Sequence, residues 1–210
     1  MAKETQEQNF AGIRFSLDPQ TDNFAEIILS ALDEIDTSNV WSKTDATSTV
    51  YRGEKSAIFD AVKAGFVHTY REGVHGKTTM TISQGCGSDA DAADYKHLSG
   101  ERINDTKSRE KDFDIIGKFQ LYPMGVTDYN DTIYKIVDEA KDRGIYQGTQ
   151  YYTTFLMGNV HDVFDYLEYI SDETKKITGH HVIEAQLVYN IPEEEAELVR
   201  EHGIDYQAAE

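Results

Sequence analysis

The stretch FSLDPQTDNFAEIILSALDEID, Phe15 to Asp36, is written again as FQLYPMGVTDYNDTIYKIVDEAKD, Phe119 to Asp142. Each runs from an apolar segment through a proline and a short polar turn into an amphipathic run. Phe15 and Pro19 match Phe119 and Pro123 at an offset of 104. One extra residue enters the second turn, and from Phe24 and Tyr129 onward the offset is 105. Ile28, Leu32 and Ile35 match Ile133, Val137 and Ala140, a spacing that lines one face of a helix. Trp41 then matches Tyr146, Ser48-Thr49 matches Thr153-Thr154, Gly53 matches Gly158, and AIFD from Ala57 matches DVFD from Asp162. An offset held over such a distance marks a duplicated unit.

Working outward, both copies have the same order of elements. In the first, a strand over Gly12 to Leu17 leads into a helix over Asp22 to Ile35. VWSKTDAT and STVYRG read as two short strands, EKSAIFDAVKAGFVHTY as a second helix and KTTMTISQG as the last strand. The second copy repeats this with DIIGKFQLYP, DYNDTIYKIVDEAKD, IYQGTQYY, TTFLMG, VHDVFDYLEYISDETKK and HHVIEAQLVYN. The order βαββαβ in roughly eighty residues is the ferredoxin-like split βαβ unit. The expected fold is therefore α+β, a tandem repeat of two ferredoxin-like domains with antiparallel sheets. Right-handed crossovers would set the first and third strands side by side. The domains fall at 9–87 and 112–192, with a polar linker over 88–111 and an acidic C-terminal tail over 193–210 that reads as solvated.

Alternation along the strands sorts the side chains by face. With Ile13, Phe15 and Leu17 turned toward the helices, and Val50, Met80 and Ile82 likewise, the uncovered face of the first copy would carry Ser16, Asp18, Thr49, Tyr51 and Ser83. The same face of the second copy would carry Gln120, Tyr122, Tyr152 and Thr154, with Glu184 and Gln186. A face rich in Tyr and Thr is expected to pack on another sheet, within the chain or across a dimer. Pressing two such faces together leaves pockets with a few convergent polar groups and aromatic walls, as small-molecule sites have. Nine of these, Ser16, Asp18, Thr49, Tyr51, Ser83, Gln120, Tyr122, Tyr152 and Thr154, are read as ligand-binding residues. The face carries the carboxylates Asp18 and Glu184 but no His, which favours binding over catalysis.

The composition narrows the classes further. In 210 residues, Asp and Glu outnumber Lys and Arg 38 to 20, for a net charge of −18. Such a chain repels a phosphate backbone, so nucleic acid is excluded as a partner. There is no apolar run of membrane-spanning length, and MAKETQEQNF, with no apolar segment after its Lys, does not read as a secretory signal, so no membrane insertion is expected and the location expected is the cytoplasm. The single Cys86 rules out an internal disulfide and a thiol-based zinc cluster. His180-His181, as neighbours on a strand, point to opposite faces and make a poor chelate, and His161-Asp162 reads as a helix-start pair suited to the helix dipole. GKTT at Gly76 lacks the upstream glycine of a phosphate loop. No metal and no cofactor are expected.

Four segments together, AGIRFSLDPQTDNF, LSALDEIDTSNVWSKTDATSTVYRG, FQLYPM and VHDVFDYLE, resemble the YkoF family of thiamin and hydroxymethylpyrimidine-binding proteins. The resemblance runs from about Ala11 to Asn190. It implies a homodimer of tandem ferredoxin-like chains that binds thiamin or its pyrimidine moiety in each domain. It also implies a role in thiamin precursor salvage or transport rather than catalysis. Where the family's first copy more usually reads Tyr-Pro, this chain has Asp18-Pro19, which offers a cation a charge partner in place of an aromatic wall. Two other classes of function fit the residues: a small cofactor-free enzyme on a dimeric ferredoxin-like fold, and a ligand-sensing regulatory module.

Overall fold

The computed structural model describes residues 9–86 and 95–205. The first half contains β1 (Phe10–Phe15), a two-residue β2 (Asp18–Pro19), α1 (Phe24–Leu32), β3 (Trp41–Thr44), β4 (Thr49–Glu54), α2 (Lys55–Thr69) and β5 (Gly76–Gln84). A single turn of helix, α3 (Asp105–Ser108), lies between the halves. The second half contains β6 (Asp114–Pro123), α4 (Asn130–Asp142), β7 (Tyr146–Gln150), β8 (Thr153–Asn159), α5 (Val160–Lys175) and β9 (His181–Tyr189). A last helix, α6 (Glu193–His202), and a 3₁₀ turn (Gly203–Asp205) follow.

Strand order is β3-β4-β1-β5 in the first half and β9-β6-β8-β7 in the second, each the ferredoxin-like arrangement. The register confirms the two offsets. Phe15 lies opposite Thr49 as Phe119 lies opposite Thr154, and Ala11 faces Gly53 as Ile115 faces Gly158. The two sheets are not separate, however, and do not pack face to face within the chain. β5 and β9 pair antiparallel from Gly76↔Tyr189 to Gln84↔His181, which makes one continuous nine-stranded sheet. The last strand of a ferredoxin-like unit is an edge with unpaired N–H and C=O groups, and joining the two edges satisfies both. Hydrophobic alternation carries no mark of such an edge, so the sequence pointed to stacking instead.

The helices of the two repeats, α1, α2, α4 and α5, cover one face of this sheet. α2 is almost wholly buried because it lies over β1 and β4 between α1, α3 and α5. Ile13, Phe15, Met80, Ile82, Phe119, Ile183, Ala185 and Leu187 enter the same core from the strands. The 88–111 segment, where described, is docked rather than loose. Asp60 on α2 accepts from the backbone N–H of Asn104 (2.8 Å) and its Nδ2 (3.0 Å), while Lys63 donates to Asp105 (2.6 Å). Desolvation would raise Asp105, but donation from Lys63 and Arg109 holds it down at about 2. The tail reading also needs correction. Residues 193–202 form α6, whose Ala196 and Val199 pack on Ile116, Met157, Phe155 and Val188 across the otherwise uncovered face. Three of its glutamates, Glu193, Glu194 and Glu195, occupy the first turn, where the helix dipole favours them.

Two side chains mark the seam. The Tyr189 ring lies directly over Gly76, its cross-strand partner, and a β-carbon there would sit 2.0 Å from the ring. The hydroxyl donates to the Thr69 carbonyl (3.0 Å), and the ring meets Phe66, Tyr70 and Phe113. At the other end His181 is 1% exposed, with Nε2 2.9 Å from Ser171 Oγ, which donates to Gln84 Oε1 (3.1 Å). His180 precedes β9, and among the described residues no group of three or more His, Cys, Asp or Glu is placed to hold a metal. Asn159 caps α5 by accepting from the His161 N–H (2.9 Å), with Asp162 in the first turn.

Two measurements check the seam. Gly76→Ala forces a methyl into the Tyr189 ring, so urea unfolding should show a loss of about 1–3 kcal/mol, the usual range for overpacking. Burial, reinforced by Lys55 and His180, pushes His181 down to about 4. Its folded value is thus below the unfolded one, so its contribution is complete above pH 6.5 and is lost as pH falls from 6.5 toward 4, on the order of 3 kcal/mol in all. His181→Gln should flatten that part of the stability–pH curve.

Candidate functional site

At the first-half hairpin, α1 and the end of β1 enclose a cleft of about 420 Å³. α1 is amphipathic in an unusual way. Ile27 and Ala31 enter the core, while Phe24, Ile28 and Leu32, one step along, line the cleft. The stripe Ile28, Leu32, Ile35 read from the repeat is therefore mainly a cleft wall. The floor and far rim come from Phe15 to Gln20 and from Thr44 to Thr49.

The polar groups of the cleft come mostly from the hairpin and from the turn after β1. The Thr44 and Thr49 hydroxyls stand 3.0 Å apart. Asp45 Oδ1 accepts from the N–H and hydroxyl of Thr47 (2.8 Å each) and from the Ser48 N–H (3.0 Å). Those donors fix the hairpin and hold the Asp45 carboxyl below its ordinary range, so it is ionised at neutral pH. The Ser16 hydroxyl donates to Asp18 (2.6 Å) and lies 2.9 Å from Thr79 Oγ1. An apolar wall facing two adjacent hydroxyls suits a flat, partly polar ring, since a hydroxyl both donates and accepts.

Of the nine sequence candidates, Ser16, Asp18 and Thr49 line this cleft. Thr49 does so from the helix-covered face, not the uncovered one. Because Ile13 pairs with Tyr51 and Phe15 with Thr49, both β4 residues share the face of Ile13 and Phe15, while Val50 lies opposite Arg14 on the other side. A single apolar Val misplaced the strand by one residue, and one residue flips every side chain. Tyr51 is core, 3% exposed, edge-on to Phe15 at 4.9 Å, and burial pushes its phenol up to about 12. Ser83 pairs with Gly12 and Val182 on the uncovered face, away from the cleft.

In the second half the same correction applies to Thr154. It is 8% exposed on the helix side opposite Phe119, with its hydroxyl 3.5 Å from that of Thr149. The Thr–Thr pair is thus present in both copies. Gln120 and Tyr122 lie on the uncovered side of β6, opposite Glu184 and Val182. Tyr152 sits at the tip of the β7–β8 hairpin. The α1 stripe, Thr44 and Asp45 were missed, although Thr44 matches Thr149 at the same offset of 105.

The YKOF-related family, as a family model, matches the chain over residues 10–89 and again over 115–194. A Bacillus subtilis (strain 168) protein, YkoF, whose name describes a candidate HMP/thiamine-binding protein, is 38% identical over 182 residues, covering 87% of this chain and 91% of that one. Each matched segment is one βαββαβ unit with its hydroxyl pair, and the chain belongs to the YKOF-related family.

Proposed function

We propose that the chain binds thiamin or its hydroxymethylpyrimidine moiety without catalysis, in the first-half cleft and at the matching place in the second half. The observation that carries the reading is the Thr44–Thr49 pair set against Phe24, Ile28 and Leu32, repeated as Thr149–Thr154 in the other copy. The hydroxyls answer the amino group and ring nitrogens of an aminopyrimidine, at on the order of 1 kcal/mol net for each bond. The name of the Bacillus subtilis relative supports the same ligand class. A binding role rather than an enzymatic one is favoured by that relative's name, which describes a binding protein. Precursor salvage or transport in the cytoplasm is the role that fits such a binder. Among the described residues no helix is long and apolar enough to cross a membrane.

The chain acts, in this reading, as a homodimer whose second copy covers the open sheet face. That face presents Arg14, Lys77 and Lys118 together with Glu184, so an isologous pairing has opposite charges to match.

Titration calorimetry with thiamin and with hydroxymethylpyrimidine tests the binding. Thr49→Val and Thr154→Val keep the branched shape and remove one hydroxyl each, and each should weaken its own site by about 1–3 kcal/mol. Unchanged affinity in the double variant would move the site elsewhere. Sedimentation tests the assembly: a particle at twice the 23.8 kDa chain mass is expected, and a monomer at micromolar concentration would contradict it.

A further inference from the structure

The two halves differ at the hairpin tip. In the first half the tip is Asp45-Ala46-Thr47-Ser48, stabilised by the Asp45 side chain, and all four residues line the cleft. In the second half Gln150 pairs with Thr153, leaving a two-residue turn of Tyr151 and Tyr152 at φ 47° and 70°. Such a turn calls for Asn-Gly, because a side chain is strained in the left-handed region. Nor do these rings recover the strain by burial: they stand 80% and 96% exposed. Fold stability therefore accounts for neither tyrosine. By the repeat they occupy the places of Ala46 and Thr47, which line the first cleft, and Tyr122 and Tyr129, the matches of the cleft residues Asp18 and Phe24, are exposed as well.

We propose that Tyr151 and Tyr152 are the ring-stacking residues of the second site, which therefore selects a flat heteroaromatic ring whether or not it carries charge. The inference rests on reading this place as a ligand site. The matching rim of the first cleft instead carries the carboxylates Asp18 and Asp45 where the second half has Tyr122 and Gln150. A ring entering between the tyrosines would bury faces that solvent now covers, and aromatic faces accept neutral rings by stacking and cations by their quadrupole.

The test combines Tyr151→Asn with Tyr152→Gly, the residues the turn itself favours. The thermal midpoint should hold or rise, while binding of neutral hydroxymethylpyrimidine at the second site weakens at least tenfold by calorimetry. Tyr151→Phe with Tyr152→Phe should retain that binding. A lowered midpoint in the Asn-Gly variant would show that the tyrosines serve the fold, and would overturn the proposal. Unchanged pyrimidine affinity in that variant, or equal loss in the Phe pair, would also overturn it, and both leave the thiamin reading standing. Tyrosine-labelled NMR with a simple aminopyrimidine separates the two ideas. Shifts at both rings without any thiamin binding would keep the stacking residues and remove the vitamin as ligand; no shift would overturn the stacking itself.

Discussion

The antiparallel pairing of β5 with β9 is the contact on which the rest of the architecture depends. It turns two units, each with an open last-strand edge, into one sheet whose repeat helices form a single layer on one face. It also brings α2 against α5, the equivalent helices of the two copies. The seam has a polar end and an aromatic end. His181, Ser171 and Gln84 form a buried chain at one, and Tyr189 closes over Gly76 at the other. A slip of the register would break the chain and drive the ring into a side chain, so these two features hold the halves in one alignment.

The same seam explains why the segment between the copies is structured. Duplication sets Asp60 and Lys63 on α2 against their matches Asp165 and Glu168 on α5. One cross-pair is favourable: Lys63 lies 3.9 Å from Asp165. The mirrored pair, Asp60 with Glu168, is acidic on both sides. The intervening segment corrects this imbalance. Arg102 pairs with Glu168, and Asn104 donates twice to Asp60. Because the segment occurs once, it supplies to one side of a near-symmetric interface what duplication alone left uncompensated. Removing one partner from so buried a cluster costs far more than the pair contributes.

The cleft follows from a division of labour on the first helix of the first unit. With Ile27 and Ala31 sufficient to anchor α1, Phe24, Ile28 and Leu32 stay partly exposed and form a wall. A helix that used all its apolar positions for the core would close the space. The Thr–Thr pair stands opposite in both halves because both hairpins keep the same length between paired threonines. Around that shared frame the rims diverged, toward carboxylates in one half and exposed tyrosines in the other.

The sequence by itself determined the duplication, the order of elements and the ferredoxin-like topology, because offsets and periodicity record them directly. It also determined that Thr49 and Thr154 are equivalent, and that Ser16 and Asp18 stand where β1 ends. Which face those threonines occupy was decided only by tertiary structure. The register opposite Phe15 and Phe119 sets it, and a strand with one weak apolar signal does not reveal its own register. The fusion of the two sheets was equally hidden, because an edge strand is recognised by unpaired backbone groups, which are the same in every sequence. The docking of the acidic final segment as α6 was hidden as well. Its charge reads as solvated, and only the folded chain shows Ala196 and Val199 meeting the apolar patch around Ile116 and Met157.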